Sequence, residues 1–264
     1  MTLVGETPQW IELDGAVNAR AVVPGVLLRS DNLQGLSVRD VERLVDGERL
    51  EVVLDLRTDV EVALEGPGPL VLDPRVRIEH HSLYPSQGNT DLDAETIKPG
   101  TRPWGRSYGG EFADESPVVR SYLGYMLARP DSVVAAITEI ARADGSVLVH
   151  CAAGKDRTGT VVALALDVAG APRELISGDY LATAERIEQI IHRLRSSDTY
   201  RAELEGHDPQ DHAPVPGTIE RVLQIVDERY GGAGRWLLDN GLSEADLERL
   251  RDRLAPAAGG RICS

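Results

Sequence analysis

Residues 146–170 constrain this chain more than any other stretch. Ser146 to His150 (SVLVH) is short and nearly all apolar, as a central strand buried on both faces is. Val161 to Gly170 (VVALALDVAG) is apolar almost all round, which fits a buried helix that stops at Gly170, with Pro172 just beyond. Ten residues, Cys151 to Thr160, join the two. A buried strand feeding a buried helix calls for α/β layering, and it makes the joining segment a loop that ends at a helix N-terminus.

The rest of the chain fits that frame. Val22 to Arg29 (VVPGVLLR) reads as a strand entered from a Pro-Gly turn. Ser37 opens a capped amphipathic helix, with an acid three residues on and apolar Val38, Val41, Leu44 and Val45. Leu50 to Leu56 and Val76 to Leu83 read as strands, and Val118 to Ala143 as helix. Residues 84–117 differ: four prolines, five glycines, Trp104, Tyr108 and Phe112 stand there without periodicity, as in a lid, a binding loop or an insert. Beyond Pro172 the pattern is helical, over Pro172 to Ser177, Tyr180 to Arg195, Thr218 to Tyr230 and Ser243 to Leu254. We expect one α/β domain over residues 1–264: a central, mostly parallel sheet flanked by helices, with a helical C-terminal part over 172–254.

Composition excludes several classes. Hydrophobic residues make up 42% and charged residues 27%, the mix of a soluble globular chain rather than a disordered one. Acids outnumber bases 43 to 28, and the net charge of −15 repels nucleic acid and anionic membrane. No apolar run approaches the ~18 residues of a membrane span, and MTLVGETPQWIELDG lacks the basic and apolar regions of a secretory leader. The two cysteines, Cys151 and Cys263, make no disulfide framework. The expectation is a cytoplasmic protein that uses no cofactor or metal and has no nucleic-acid or membrane-inserted partner. His80 and His81 are adjacent and point to opposite faces of a strand, a poor metal pair. His207 and His212, in a Pro-rich loop, read as solvated, and Tyr122 and Tyr180 as core.

The joining loop carries the chemistry. It reads His150-Cys151-Ala152-Ala153-Gly154-Lys155-Asp156-Arg157-Thr158-Gly159-Thr160. N–H groups and the helix dipole converge at such a turn, and the small residues Ala152, Ala153 and Gly154 let the backbone curl into a cradle for a tetrahedral oxyanion. Cys151 stands at the mouth of that cradle, where the same N–H groups favour a nucleophilic thiolate. Arg157, six residues on, has the planar fork that binds two oxygens of a phosphoryl group. Thr158 has a hydroxyl to offer the sulfur. Only two lysines occur in the chain, Lys98 and Lys155, and one of them lies in this loop. An ATP-binding reading fails on spacing, because Val149 and Asp156 stand where a Walker loop needs Gly and Ser or Thr.

HCAAGKDRTG resembles the His-Cys-x5-Arg-Ser/Thr signature loop of the cysteine-dependent protein tyrosine phosphatase superfamily. With Lys and Asp inside the loop, it is similar to the atypical bacterial branch of tyrosine and phosphoinositide phosphatases. VNAR, LLRSDNL, VVLDLRTDVEV, ERYGG and LLDNGLSEADLERLRDRL resemble that branch as well. The turn after Arg20 departs from it, reading Ala21-Val22-Val23-Pro24-Gly25 in place of Asp-Leu-Gly-Gly. The resemblance implies hydrolysis of a phosphorylated protein or phosphoinositide, with Cys151 as nucleophile and Arg157 as phosphate clamp. It also implies main-chain contacts from Ala152 through Arg157. No Trp-Pro-Asp tripeptide is present to supply a general acid, so Asp156 is the first candidate and Asp55 the second. Asp55 with Arg57 reads more readily as a structural ion pair than as catalytic machinery. Lys155 would add charge at the rim for inositol phosphates. The alternatives are a non-catalytic phosphate-binding module on the same fold, and other thiol chemistry such as arsenate reduction.

Overall fold

The computed structural model describes residues 8–85 and 112–258. Trp104, Tyr108, Cys263 and most of the 84–117 segment lie outside them.

The chain opens on a meander. Strands β1 (Gln9–Trp10), β2 (Arg20–Val23) and β3 (Leu27–Ser30) pair antiparallel in sequence. The expected single strand over 22–29 is thus two. Gly25 takes a φ of +69° and the N–H of Val26 closes on the carbonyl of Val23, folding the run into a hairpin. Ser37 caps α1 (Val38–Glu42) in a reciprocal box with Asp40, as its spacing predicts, and the helix ends in a π turn over Arg43–Gly47. Strand β4 (Leu50–Asp55), helix α2 (Asp59–Glu65) and strand β5 (Arg77–His80) follow.

The helix expected over 118–143 is broken into α3 (Pro117–Ala128) and α4 (Pro130–Arg142). Pro130 has no N–H to donate and drives Arg129 out of helical geometry, to φ −138° and ψ 58°. Strand β6 (Ser146–His150) then leads into α5 (Asp156–Val168), so the join is Cys151 to Lys155 rather than the expected Cys151 to Thr160: the first turn of α5 holds polar residues and a glycine, which carry no apolar pattern to mark it as helix. Next come α6 (Arg173–Ala182), a 3-10 turn over Thr183–Arg186, and α7 (Ile187–Ser196). The break thus falls after Ala182 rather than after Ser177. Side chains override local propensity at Ser177 and Asp179: the first bonds Glu220, the second pairs with Arg20 and Arg29. The remaining helices are α8 (Asp198–Leu204), α9 (Thr218–Tyr230), α10 (Ala233–Asp239) and α11 (Glu244–Ala258).

The sheet order is β1-β2-β3-β6-β4-β5, and β6 runs parallel between β3 and β4. All five residues of β6 are buried, as a strand covered on both faces requires. Its side chains alternate: Val147 and Val149 join the core built with the later helices, whereas Leu148 joins the smaller core on the other face. The loop after β6 therefore lies at the carboxyl edge of the sheet, flanked by the chain leaving β3 and β4. In parallel sheets that crevice is where ligands bind.

Helix α11 packs on α4 and α5 with Leu250 fully buried. The variant Leu250→Ala should lose about 2–5 kcal/mol of stability in urea unfolding. A loss below about 1 kcal/mol would make α11 an appendage rather than part of the core.

Candidate functional site

The loop is shaped from behind. The His150 carbonyl accepts from the N–H of Leu56 at 3.0 Å, and that of Ala152 from the N–H of Asn32 at 2.9 Å. The Ala153 carbonyl accepts from Asn18 Nδ2 at 2.9 Å, and that of Gly154 from Arg29 Nη2 at 2.6 Å. With these carbonyls turned outward, none of the N–H groups from Ala152 to Arg157 donates to another described residue. They stand at the start of α5, where the helix dipole adds positive potential. Gly154 makes the turn possible. Its φ is +66°, and a Cβ there would sit 2.3 Å from the Ser30 carbonyl oxygen.

The groups that grip these carbonyls are themselves held. Arg20 and Arg29, both fully buried, converge on Asp179 of α6, and the Arg20 Nη1 donates to Asn18 Oδ1 at 2.5 Å. Asp31 accepts from the N–H groups of Val17 and Asn18 and pairs with Arg193. Buried charges of this kind cost several kcal/mol each unless every partner is in place.

Arg157 is fixed in the same way. Its Nη1 donates to Glu61 Oε2 at 2.5 Å and its Nη2 to Glu61 Oε1 at 2.9 Å. Glu61 is fully buried; it accepts from the N–H of Thr58 at 2.7 Å in the capping box of α2, and from the Tyr200 hydroxyl at 3.2 Å. Burial opposes the Arg157 charge, but the Glu61 carboxylate and the nearby Cys151 outweigh it, so its pKa rises well above the ordinary value. Glu61 grips the guanidinium end-on through both Nη atoms. The edge carrying Nε and the second Nη2 hydrogen has no acceptor among the described residues, and it is the edge that matches two phosphoryl oxygens. Glu61 was missed in the sequence. The signal for it was present in Thr58-x-x-Glu61, a capping box directly after a predicted strand.

A cavity of about 360 Å³ opens over the loop, with Cys151, Ala152, Ala153, Lys155, Asp156 and Arg157 in its lining. Tyr84 and Tyr125 stand on one side, and Ile187, Ile191, Leu194 and Leu204 form an apolar wall. The structure thus brings six of the candidate residues together. Gly154 contributes backbone, and Thr158 is buried with its hydroxyl unpartnered among the described residues. Lys155 Nζ donates to the His212 carbonyl at 2.7 Å and lies 3.4 Å from Asp156 Oδ1. His207 is exposed, as expected, but His212 is half-buried; the two stack at 5.5 Å at the cavity, where the Lys155 contact to the His212 carbonyl holds their loop.

Asp55 is not in the cavity lining. Arg57 takes both its oxygens, at 2.9 Å through Nε and 2.6 Å through Nη2. Burial would raise its carboxyl, but His150 and Arg57 hold it well below the usual carboxylate range. His150 Nε2 lies 3.7 Å from Asp55, and burial pushes the imidazole down to about 4 against the pull of that carboxylate. Asp55 is therefore held by Arg57 beneath the loop and is not among the residues brought together at the cavity. Tyr122 and Tyr180, expected as core, are buried, yet the Tyr122 hydroxyl reaches Asp156 Oδ1 at 2.6 Å and Tyr180 at 3.0 Å. Among the described residues, no three His, Cys, Asp or Glu side chains gather as a metal site.

A cysteine and a clamped guanidinium sharing a hollow with free amides define a class of protein that handles tetrahedral phosphoryl groups. Residues 12–256 match the model of the tyrosine phosphatase family, and the chain belongs to that family. It is 31% identical over 276 residues to the triple specificity protein phosphatase PtpB of Mycobacterium tuberculosis, an alignment spanning 92% of this chain and 95% of that protein. It is 30% identical over 266 residues to a tyrosine-protein phosphatase of Nostoc commune, spanning 92% and 85%. The chain is a protein-tyrosine-phosphatase-type hydrolase.

Two outcomes test this geometry. Gly154→Ala should cost about 1–3 kcal/mol of stability, because it forces a side chain into left-handed backbone. It should also abolish inhibition by inorganic phosphate; unchanged inhibition would contradict the cradle. His150 titrates near 4 in the folded protein against 6.5 unfolded, so between these values the unfolded chain binds the extra proton. The stability this gives is complete above about pH 6.5 and drains as pH falls toward about 4, by at most roughly 3 kcal/mol. His150→Gln should flatten that slope in urea titrations at pH 7 and pH 5.

Proposed function

We propose that this phosphatase hydrolyses phosphotyrosine, and also phosphoserine, phosphothreonine or phosphoinositide, through a phosphocysteine intermediate. The observation that carries the reading is that Cys151, the free amides of residues 152–157 and the free edge of Arg157 meet at one cavity. The Cys151 sulfur attacks phosphorus as the bond to the leaving oxygen breaks. The amides and Arg157 hold the equatorial oxygens, where transition-state charge spreads. Asp156, within the lining, protonates the leaving oxygen. In the second step water attacks phosphorus, the sulfur–phosphorus bond breaks, and the same carboxylate takes the water's proton. The Thr158 hydroxyl, without a partner among the described residues, steadies the departing sulfur.

Tyr84, Tyr125 and the Ile191–Leu194 wall suit the phenyl ring of phosphotyrosine. Lys155 adds a cation for the more highly charged inositol phosphates. The relative from Mycobacterium tuberculosis is named for triple specificity, which supports the wider range. The packing of α11 on α4 and α5 supports one phosphatase domain over residues 1–264. No described helix is long and apolar enough to cross a membrane.

Cys151→Ser should lose measurable turnover on phosphotyrosine peptide while still binding it, as followed by calorimetry. Full turnover by the variant would refute the mechanism. Wild-type protein that binds the peptide but never turns it over would favour a phosphate-binding module.

A further inference from the structure

We propose that Tyr122, backed by Tyr180, is a positioning residue for Asp156, and that its hydroxyl fixes which carboxylate oxygen carries the catalytic proton. The inference rests on Asp156 being the general acid. Tyr122 comes from α3 and Tyr180 from α6; they are 1% and 2% exposed, with rings edge to face at 6.1 Å. Each is far from the loop in sequence, yet the Tyr122 hydroxyl meets its acid and the Tyr180 hydroxyl stands directly behind that of Tyr122.

Proton counting orders the chain. Asp156 as a carboxylate can only accept, so the 2.6 Å contact to Oδ1 uses the single Tyr122 proton. The Tyr122 oxygen is then an acceptor, and Tyr180, 3.0 Å away, must donate to it. Donors in series polarise one another and strengthen the last bond. Burial, followed by the Asp156 charge, lifts the Tyr122 phenol well above its ordinary range, and the same causes lift Tyr180 to about 12. Both remain donors wherever the enzyme works.

The consequence falls on Asp156. Oδ1 faces Tyr122 and, at 3.4 Å, Lys155 Nζ, whereas no described residue donates to Oδ2. A proton on Oδ1 would collide with two donors, so it resides on Oδ2. From there it passes to the leaving oxygen as the phosphorus–oxygen bond breaks, and the attacking water's proton returns there in the second step. Packing alone does not require this arrangement. Two phenylalanines would fill the same volume, and a buried hydroxyl needs no partly exposed carboxylate. Gly159 provides room for the relay: a Cβ there would stand 3.3 Å from the Tyr180 ring.

The test compares kcat/KM for phenyl phosphate, whose leaving group needs a proton, with p-nitrophenyl phosphate, whose leaving group needs it far less. Asp156→Asn should lower the phenyl phosphate value about 100-fold or more, with a much smaller loss on the nitro ester. Tyr122→Phe should repeat that selective loss at about 10-fold on phenyl phosphate. Tyr180→Phe should follow in the same direction with a smaller loss. Equal losses on both esters, or none on either, in a folded Tyr122→Phe protein would overturn the proposal. If thermal melting shows that variant unfolded, Tyr180→Phe decides by the same ratio. An unchanged ratio in Asp156→Asn would instead overturn the acid assignment, and the relay with it.

Discussion

The structure depends on hydrogen bonds made to the back of one loop. Asn18, Arg29 and Asn32 take the carbonyls of Ala152, Ala153 and Gly154, and the opposite edge of the peptide units is thereby committed to the cavity. Backbone N–H groups left without partners are normally costly, so a chain keeps a row of them only where a ligand satisfies them. The expense is compounded by the supports, because Arg20, Arg29, Asp31 and Asp179 withdraw charge from water in order to hold those carbonyls. A core of leucines in their place would be as stable and would leave the loop unshaped.

Electrostatics divides by distance. The chain carries −15, yet the hollow gathers Lys155, Arg157 and a helix N-terminus. Screening over about 8–10 Å separates the acidic surface from this local positive site. Around it, Glu61 and Asp156 each sit behind or beside a cation. Glu61 takes the far end of Arg157 and leaves its other edge without an acceptor among the described residues; Asp156 stands beside Lys155 with one oxygen bonded by Tyr122 and no described donor on the other. In the proposed mechanism the group that orients charge is thereby separate from the group that moves a proton.

Much of this was legible in the sequence. The SVLVH strand and the all-apolar helix after it placed the central strand and the body of α5, because burial on both sides leaves an unmistakable run, while the polar first turn of α5 at Asp156 to Thr160 read as part of the loop. Thr218–Tyr230 was read to the residue, since Gly231 takes the left-handed conformation that ends it. What failed was long-range. Asp179 holds α6 helical past a Ser-Gly pair because two arginines from β2 and β3 meet it there, and no local pattern contains that contact. His212 read as solvated because nothing nearby in sequence shows that Lys155 will bind its carbonyl. Tyr122 lay on an apolar helix face, and only the fold shows that its hydroxyl points at an acid 34 residues away.

The most direct measurement is a crystal structure with tungstate bound to the wild-type protein. The account predicts the oxyanion seated against the Cys151 sulfur, its oxygens on the amides of residues 152–157, and two of them on the Nε and Nη2 edge of Arg157. Tungstate elsewhere, or loop amides bonded back to protein with Arg157 turned away, would contradict it.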